Sequence, residues 1–278
     1  REGLSADYDL FEKNRYFSPG FILPYSAARG CWWRKCSFCP EKSEAAPYLP
    51  LPASRAAEEL GTLTKQTGPS LIHLLDSSVS PAFMQALIEN PPGSPWYGFA
   101  RVTRHLADKD FCRALKKSGC VMLKLGLESG SQSVLDDLSK GIDLDEASAA
   151  LRTLDKAGIA VYGYFLFGTP QETEADAQKT LDFIVRHSGC ISFLNLAIFN
   201  LPAGSEEARD LSTQEFYDGD LSLYRNFHHP SGWQRGNVRN FINKTLKKHP
   251  AVAPIAWRTP EFFTSNHAPF FAFLKNSK

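Results

Sequence analysis

Three cysteines lie within nine residues of one another, at Cys31, Cys36 and Cys39, in the pattern Cys-x4-Cys-x2-Cys. The sequence shows no charged start followed by an apolar leader, so thiolate ligands of a metal centre are favoured over disulfides. A structural zinc site usually takes four protein ligands, and no histidine lies within thirty residues of this group. An iron–sulfur cluster held by three cysteines would leave one iron free for a small molecule. The spacing therefore predicts an iron–sulfur centre, with a zinc site as the alternative.

The other three cysteines, Cys112, Cys120 and Cys190, show no spacing that is typical of metal ligands. Cys112 falls within a predicted helix, where a single thiol has no neighbouring ligand. Free cysteine is among the residue types that are most often buried in protein cores. We therefore predict that these three are inert thiols and that they hold no second cluster.

Apolar runs of strand length alternate with helical patterns between residues 21 and 199. This alternation indicates parallel strands joined by right-handed helical crossovers. In the fourth run, Leu123 and Leu125 alternate with Met122 and Lys124, so one face packs under helices and the other lines an interior. Periodicity alone is equally typical of a barrel and of an open doubly wound sheet. The predicted strands are 21–28, 71–76, 96–101, 120–127, 159–167 and 191–199, and the predicted helices are 54–66, 81–89, 108–118, 131–139, 143–157 and 173–187.

Three predicted helices begin at residues that commonly cap helices, namely Ser54, Asp108 and Thr173. After residue 199 the periodicity weakens, and prolines and aromatic residues become frequent. This change predicts an irregular C-terminal extension with one helix over 236–248. The expected organisation is a lead-in over 1–20, a barrel core over 21–205 and an extension over 206–278 packed on the barrel.

The composition is that of an ordinary globular protein. The 278 residues include 43% hydrophobic and 22% charged residues, which excludes a disordered or collagen-like chain. Lys and Arg number 31 against 30 acidic residues, so the net charge of +1 gives no argument for a nucleic-acid partner. There is no apolar run long enough to span a membrane, and the expected location is cytoplasmic. The chain begins with Arg1, which we interpret as a domain or processed fragment of a longer protein.

Polar residues follow the predicted strands at the ends where parallel α/β proteins place their active sites. Arg101 ends the third predicted strand, Glu128 ends the fourth, and Asn200 follows the sixth. Asp76 and Ser77 lie at the end of the second. Because the cysteine group follows the first strand, the sequence predicts that these side chains meet beside it at one rim.

Three motifs in chain order resemble the radical S-adenosylmethionine (SAM) superfamily. They are Gly30-Cys31-Trp-Trp-Arg-Lys-Cys36-Ser-Phe38-Cys39, Leu125-Gly-Leu-Glu128-Ser-Gly-Ser-Gln132, and the stretch from Gly158 through Gly168-Thr-Pro170-Gln-Glu172-Thr173. The resemblance covers about residues 15–205. It implies a partial (β/α)6 TIM-like barrel with a 4Fe–4S cluster on Cys31, Cys36 and Cys39, and SAM on the free iron. In this family, one-electron cleavage of SAM gives a deoxyadenosyl radical that abstracts hydrogen from a substrate.

The sequence departs from the family's commonest pattern in two places. The first gap of the cysteine loop has four residues instead of three, and Leu75-Asp76-Ser77 stands where many members have Gly-Gly-Glu. Matched position by position, the resemblance implies six SAM-binding residues. They are Phe38 near the adenine, Asp76 with Ser77 at the amino group, Glu128 at the ribose, Lys140 at the carboxylate, and Tyr164 at a fifth-strand position that is often polar.

Each of these residues has a structural alternative. Phe38 and Tyr164 could be packing residues, Asp76 and Glu128 could cap the helices that follow them, and Lys140 could be an exposed lysine at a helix end. Arg101 is expected either to contact SAM or substrate, or to be a solvated or ion-paired arginine. Lys124, on the interior face, is expected to be either ion-paired inside the barrel or a substrate-binding group. His73 is predicted to be a core histidine.

The resemblance implies an enzyme that uses a one-electron reductant such as flavodoxin or ferredoxin, with a small-molecule or peptide substrate that the sequence does not identify. The alternative is a non-catalytic iron–sulfur module for electron transfer or scaffolding. Tyr16-Phe-Ser-Pro19 and Thr264-Ser-Asn266-His-Ala-Pro269-Phe look like the group whose members often carry an N-terminal cobalamin-binding domain. The Asp-x-His-x-x-Gly loop of that domain is not in this sequence, so cobalamin would enter only through a domain outside it. Methyl transfer is therefore one candidate reaction.

Overall fold

The computed structural model describes residues 7–8, 12, 15, 18–219, 221–258 and 268–270. Its strands are β1 Ile22–Tyr25, β2 Ala28–Arg29, β3 Leu49–Pro50, β4 Leu71–Leu74, β5 Trp96–Ala100, β6 Cys120–Glu128, β7 Ala160–Phe167, β8 Phe193–Ile198, β9 Leu201–Pro202, β10 Thr213–Gln214 and β11 Tyr224–Phe227. Its α-helices are α1 Pro40–Ser43, α2 Ala53–Thr67, α3 Pro81–Glu89, α4 Lys109–Lys117, α5 Gln132–Asp137, α6 Leu144–Ala157, α7 Glu174–Arg186, α8 Glu207–Asp210, α9 Arg235–Asn240 and α10 Ala253–Ala256. A 3-10 segment covers Arg104–Ala107, and a π-helical segment covers Phe241–Leu246.

Six strands form one sheet in the order β1-β4-β5-β6-β7-β8, and every neighbouring pair is parallel. Helices α2, α3, α4, α6 and α7 connect these strands as crossovers, which is the arrangement that parallel pairing requires. The sheet therefore has the strand order of a partial TIM-like barrel, with β1 and β8 at its edges. The predicted α/β fold is confirmed.

The two faces of β6 lie in two different hydrophobic clusters. Leu123 and Leu125 are fully buried in the main core, which also contains Leu151 of α6. Met122 on the opposite face packs with Tyr162 inside the sheet's concave side. The predicted division of β6 into a helix-facing and an interior-facing row is confirmed. We call the space on the concave side the lumen.

Helix starts follow local capping chemistry, with one exception to the prediction. Asp108 caps α4 by accepting hydrogen bonds from the amides of its first turn, and Thr173 forms a reciprocal capping box with Asp176. Ser54 was the wrong cap for α2, since the helix begins at Ala53 and Pro52 occupies the cap position. The proline ring fixes φ near −54°, which starts the helix without a side-chain cap.

The C-terminal extension packs against the barrel. The predicted helix over 236–248 corresponds to α9 and the π-helical segment that continues it. Val238 and Phe241 of this segment belong to the main core, whereas Ala268 and Phe270 belong to the lumen cluster of Met122. Short strands β9, β11 and β10 add a small antiparallel sheet that the sequence did not predict.

The structure describes only part of two motifs from the sequence, and it also bears on membrane-spanning helices. Residues 16–17 and 264–267, which carried part of the resemblance to the cobalamin-associated group, lie outside the described residues. None of the helices in the described ranges has the length and apolar character needed to cross a membrane.

Candidate active site at the carboxyl end of the barrel

The cysteine loop follows β2 and ends at the start of α1. Gly30 opens it with φ of +77°, and a Cβ at this position would come within 2.5 Å of the Pro47 carbonyl oxygen, so glycine is required. Cys31, Cys36 and Cys39 are all free thiols, and Cys36 is buried. Burial raises the thiol pKa of Cys36, while the nearby positive charges of the site oppose this shift. The loop thus presents three ligand-competent sulfurs at the carboxyl end of the sheet.

Arg101, which follows β5, contacts the cysteine loop directly. Its Nη1 lies 3.7 Å from Sγ of Cys36, and its Nη2 donates to the carbonyl oxygen of Lys140. The guanidinium stacks on the ring of Trp33 at 4.2 Å from the centroid. The residue is only 6% exposed, and it is partnered by sulfur, carbonyl and indole groups. A solvated arginine, which was one alternative, is therefore wrong, because the loop tryptophan covers it. Contact with SAM or substrate stays a prediction.

Glu128 and Lys140 form a buried ion pair. Nζ of Lys140 lies 2.7 Å from Oε1 of Glu128, and the two side chains are 7% and 12% exposed, respectively. Lys140 is not the exposed helix-end lysine of the alternative interpretation. Glu128 does not cap α5, because Ser131 occupies the cap position. The backbone of Glu128 has φ of +64°, an unusual value for a residue with a side chain.

Direct contacts join these residues into one group. Lys140 Nζ lies 5.6 Å from the centroid of the Phe38 ring, which follows Cys36 in the loop. The backbone of Lys140 accepts from Arg101, whose other nitrogen contacts Cys36. We call this group, Phe38, Cys36, Arg101, Lys140 and Glu128, the rim cluster. Its members come from the cysteine loop, from the ends of β5 and β6, and from the turn after α5. The strand-end rule therefore accounts for Arg101 and Glu128 but not for Lys140.

Asp76 and Ser77 lie in the loop after β4 and make other contacts. Oδ2 of Asp76 accepts from the backbone amide of Ala27 at 3.1 Å, and the residue is 2% exposed. Burial raises the carboxyl pKa of Asp76, and hydrogen bonds from backbone amides oppose this shift. Asp76 does not cap α3, because Ser80 does. Ser77 is exposed, and its hydroxyl donates to Glu41 of α1. Asp76 and Ser77 therefore contact the segments just before and just after the cysteine loop.

Tyr164 lies on β7 inside the lumen and is not a member of the rim cluster. It is half-buried, and its ring contacts Phe99 at 5.0 Å and Tyr162 at 5.1 Å between centroids. In the sheet register it pairs with Gly126, two residues before Glu128 on β6. Tyr164 therefore lies below the rim cluster, on the path into the lumen.

Gly141 supports the site and was missed by the sequence analysis. Its φ is +62°, and a Cβ there would lie 2.1 Å from the ring of Trp33. Nε1 of Trp33 donates to the carbonyl oxygen of Ser139 at 3.0 Å. The glycine directly after Lys140 was the available signal, but only the fold shows that an indole from the cysteine loop packs on it.

The donor set fits an iron–sulfur cluster. Within the described residues, no three His, Cys, Asp or Glu side chains converge on a single point. In a cubane cluster each cysteine binds a different iron, and the thiolates need not converge on one point. Three free thiols with a buried arginine beside one of them provide both the sulfur ligands and a positive charge to balance them.

Comparisons with known proteins find relatives of this chain among methyltransferases and cyclases. An uncharacterised methyltransferase of Pyrococcus horikoshii is 26% identical over 63% of this chain and 39% of its own length. The anaerobic magnesium-protoporphyrin IX monomethyl ester cyclase of Rubrivivax gelatinosus is 27% identical over 64% of this chain and 33% of its own length. The chain thus spans less than half the length of these curated relatives.

A solved structure shares the fold. TsrM, a radical SAM methyltransferase of Kitasatospora setae whose structure contains cobalamin and a [4Fe-4S] cluster, superposes with a TM-score of 0.61 at 18% identity. The superposition covers 73% of this chain and 44% of that one. The sequence model of the radical SAM superfamily matches residues 25–184, which is more than half of the chain and includes the cysteine loop and the rim cluster. The chain therefore belongs to the radical SAM superfamily, whose members use a 4Fe–4S cluster and SAM.

Proposed function

We propose that this chain is the SAM-cleaving catalytic domain of a radical enzyme, with its cluster on Cys31, Cys36 and Cys39. The observation that carries the proposal is the rim cluster, which connects Cys36 through Arg101 to the Lys140–Glu128 pair. A merely structural thiolate site would have no need of a buried ion pair beside it, since such a pair costs desolvation free energy. When bound, the reduced cluster supplies the electron that cleaves SAM.

The rim cluster matches the polar groups of SAM. The ammonium of Lys140 is placed to bind a carboxylate, and the carboxylate of Glu128 is placed to accept from ribose hydroxyls. The ring of Phe38 beside them offers an apolar face for adenine. In the ligand-free protein, Lys140 and Glu128 neutralise each other, which keeps both side chains oriented before SAM arrives.

Asp76, Ser77 and Tyr164 complete the proposed SAM site. The buried carboxylate of Asp76 offers a partner for the amino group, and Ser77 fixes the loop beside it. Tyr164 lies where the radical would enter the lumen, so its role concerns substrate as much as SAM. Trp32 and Trp33 cover the guanidinium of Arg101, which lies beside the buried Cys36. This cover would limit the access of water to that sulfur.

The wider activity of the full protein is part of the same proposal. The relatives that are named as methyltransferases support methyl transfer as one candidate reaction, with cobalamin supplied by a domain outside this sequence. The electron would come from a flavodoxin or ferredoxin. The free thiols of the ligand set need a reducing compartment, which supports a cytoplasmic location.

Reconstitution under anaerobic conditions tests the proposal against a non-catalytic iron–sulfur module. We expect about four irons and four sulfides per chain, and a change in the electron paramagnetic resonance spectrum of the reduced cluster when SAM is added. The non-catalytic module would bind iron but show no change with SAM.

Matched cysteine variants provide the control. Replacing Cys31, Cys36 and Cys39 together by alanine should abolish the cluster, whereas replacing Cys112, Cys120 and Cys190 by serine should leave iron content unchanged. Full iron and sulfide in the first variant, or proportional loss of iron in the second, would overturn the assignment of ligands.

A further inference from the structure

Two cations stand at the exposed tip of the cysteine loop. Arg34 and Lys35 are both exposed, and they directly precede the buried Cys36 in the chain. In the part of the chain that the structure describes, neither side chain forms an ion pair. Neither residue belongs to the rim cluster or to the proposed SAM contacts. The site described above therefore leaves this pair, which we call the basic tip, without a function.

The loop is anchored on both sides of the basic tip. Before the tip, Nε1 of Trp33 donates to the carbonyl oxygen of Ser139 at 3.0 Å. After it, the backbone amide of Ser37 donates to the carbonyl oxygen of Leu138 at 3.0 Å. Arg34, between these anchors, has φ of +56°, in the left-handed region that a residue with a Cβ enters only at a cost. Such conformations persist where the surroundings impose them, and they are concentrated at functional sites.

The segment around the three cysteines is more basic than the chain as a whole. Residues 29–44 contain four basic and two acidic residues, a net charge of +2, whereas the whole chain has a net charge of +1. The basic residues are Arg29, Arg34, Lys35 and Lys42, and the acidic residues are Glu41 and Glu44. Asp136 and Asp137, which are exposed at the end of α5, form no ion pair with the tip. The positive charge of the tip is thus available to attract an acidic surface.

Short contacts connect the basic tip to a sulfur of the cysteine loop. Nζ of Lys35 lies 4.9 Å from the ring centroid of Trp33, and the same ring lies 4.2 Å from the guanidinium carbon of Arg101. Nη1 of Arg101 lies 3.7 Å from Sγ of Cys36. Lys35 is also the chain neighbour of Cys36, and adjacent Cα atoms are about 3.8 Å apart across a trans peptide. A protein that docks on the tip therefore comes close to a cluster ligand without displacing SAM from the rim cluster.

We propose that Arg34 and Lys35 form the docking site of an acidic one-electron carrier protein that reduces the cluster. The inference rests on the proposed function and names the surface that receives its electron donor. One electron passes from the reduced carrier, which is oxidised, to the cluster, which is reduced, and no covalent bond forms or breaks. Attraction between the basic tip and carboxylates of the carrier raises the rate at which the two proteins meet in the productive orientation.

The observations favour a protein carrier over a nucleic acid at this surface. Binding to a nucleic acid draws on many phosphate contacts from Lys and Arg. The tip supplies two cations, and the net charge of the chain is +1. Two cations beside a redox centre suit a brief contact, in which the carrier docks, delivers its electron and leaves.

The test measures how fast reduced flavodoxin with an acidic surface reduces the reconstituted cluster, by electron paramagnetic resonance after rapid freezing. At low ionic strength the double variant Arg34→Glu with Lys35→Glu should be reduced at least tenfold more slowly than the wild type. Lys65→Glu with Lys117→Glu makes the same change of charge at exposed positions in the last turns of α2 and α4, and it should match the wild type. The conservative variant Arg34→Lys with Lys35→Arg should also keep the wild-type rate.

Reduced methyl viologen, a small cation, separates docking from damage to the cluster. It should reduce the tip variant at least as fast as the wild type, because it needs no basic docking surface. Equal rates with flavodoxin for the tip variant and the wild type would overturn the proposal. Slower reduction of the tip variant by both reductants would assign Arg34 and Lys35 to the structure of the loop and would overturn it as well.

Measurements on the wild type keep the test independent of the variants. Its reduction by flavodoxin should slow steeply as the salt concentration rises from about 0.01 M to about 0.15 M, because the Debye length falls from about 30 Å to about 8 Å. A rate that does not depend on salt would contradict electrostatic docking. Binding of the single-stranded oligonucleotide oligo(dT) that is lost in the tip variant, with unchanged reduction by flavodoxin, would assign the tip to a nucleic acid instead.

Addition of SAM to the cluster reduced with methyl viologen separates this inference from the proposed function. A tip variant that responds to SAM and keeps the wild-type rate with flavodoxin would contradict the docking site alone. A wild type that shows no spectral response to SAM, but whose reduction by flavodoxin depends on the tip, would contradict the proposed function alone.

Discussion

Nη1 of Arg101 lies 3.7 Å from Sγ of Cys36, although the two residues are 65 positions apart in the sequence. Charge and N–H donors near cluster sulfurs favour the reduced, more negative state of an iron–sulfur cluster. Trp33 and the carbonyl oxygen of Lys140 hold the guanidinium in this position. Arg101 is therefore placed to influence the reduction potential of the cluster rather than to hold it.

Arg101→Gln should lower the reduction potential of the reconstituted cluster by roughly 60 mV, which is a tenfold change in a one-electron equilibrium. Iron content should stay the same, because the three cysteines remain. The measurement is a redox titration followed by electron paramagnetic resonance. Arg104→Gln, in the exposed 3-10 segment, is the control and should leave the potential unchanged. An unaltered potential in Arg101→Gln would show that the contact with Cys36 has no electrostatic effect on the cluster.

Gly141→Ala should displace Trp33 and destabilise the site. The new Cβ would lie 2.1 Å from the indole ring, and φ at Gly141 is +62°. Gly68→Ala is a matched control, because Gly68 has φ of +56° but nothing within 4 Å of its Cβ. Backbone strain should cost each variant about 1 kcal/mol, and the steric clash should cost Gly141→Ala roughly 1–3 kcal/mol more. Urea unfolding measures the free energy of unfolding of both variants. In the double variant that combines Gly141→Ala with Trp33→Ala, the cost of the steric clash should disappear.

Variants of Glu128 and Lys140 should separate stability from SAM binding. Glu128→Gln leaves the ammonium of Lys140 buried and unpaired, and breaking such a pair costs about 3–5 kcal/mol. The double variant Glu128→Gln with Lys140→Met removes both charges and should recover most of this loss. SAM affinity should fall about tenfold or more in the single variant and should stay low in the double one. Recovery of SAM affinity together with stability would show that the pair only stabilises the fold.

The sequence predicted what depends on local chemistry. The alternation of β6 and the caps at Asp108 and Thr173 are encoded within a few neighbouring residues, and the structure confirms the elements they define. The cysteine spacing is equally local, and the ligand set that it indicates stays a prediction. The wrong cap at Ser54 is also local. Pro52, two residues before Ser54, has its φ fixed by the proline ring, and the helix begins directly after it. The capping preference of Ser54 therefore does not set the start of the helix.

Contacts between distant segments could not be predicted in the same way. Lys140 follows a helix, and its sequence pattern is that of an exposed lysine, but the loop that carries Trp33 folds over it and buries it. The contact of Arg101 with Cys36 needs β5 and the loop after β1 to meet at one rim. The family resemblance indicated Cys36 and Lys140, and the position at a strand end indicated Arg101. The tertiary structure supplied their partners.

Glu172, in the loop after β7, joins the barrel to the C-terminal extension. It is 0% exposed, and its Oε2 accepts from the Gly168 amide at 2.5 Å and from Nε1 of Trp233 at 3.0 Å. Within the described residues its Oε1 has no hydrogen-bond partner. Burial raises its pKa from the ordinary value of 4.5 to about 7, and the negative charge of Asp176 acts in the same direction. The carboxyl is therefore easier to ionise in the unfolded chain than in the folded one.

A raised folded-state pKa contributes stability that is fully present below pH 4.5 and is lost as the pH rises through about 7. The loss amounts to about 3 kcal/mol at roughly 1.4 kcal/mol per pKa unit. Glu172→Gln should remove this slope, so the variant should be less sensitive than the wild type to a change from pH 5 to pH 8. Urea unfolding at pH 5 and pH 8 measures the change in the free energy of unfolding for each protein. Subtracting the change in the variant from that in the wild type cancels the titration of groups common to both proteins, such as Asp176. Glu174→Gln, exposed in the first turn of α7, should keep the wild-type slope. Equal slopes for wild type and Glu172→Gln would show that Glu172 is ionised at neutral pH and that Gly168 and Trp233 are sufficient to hold its charge.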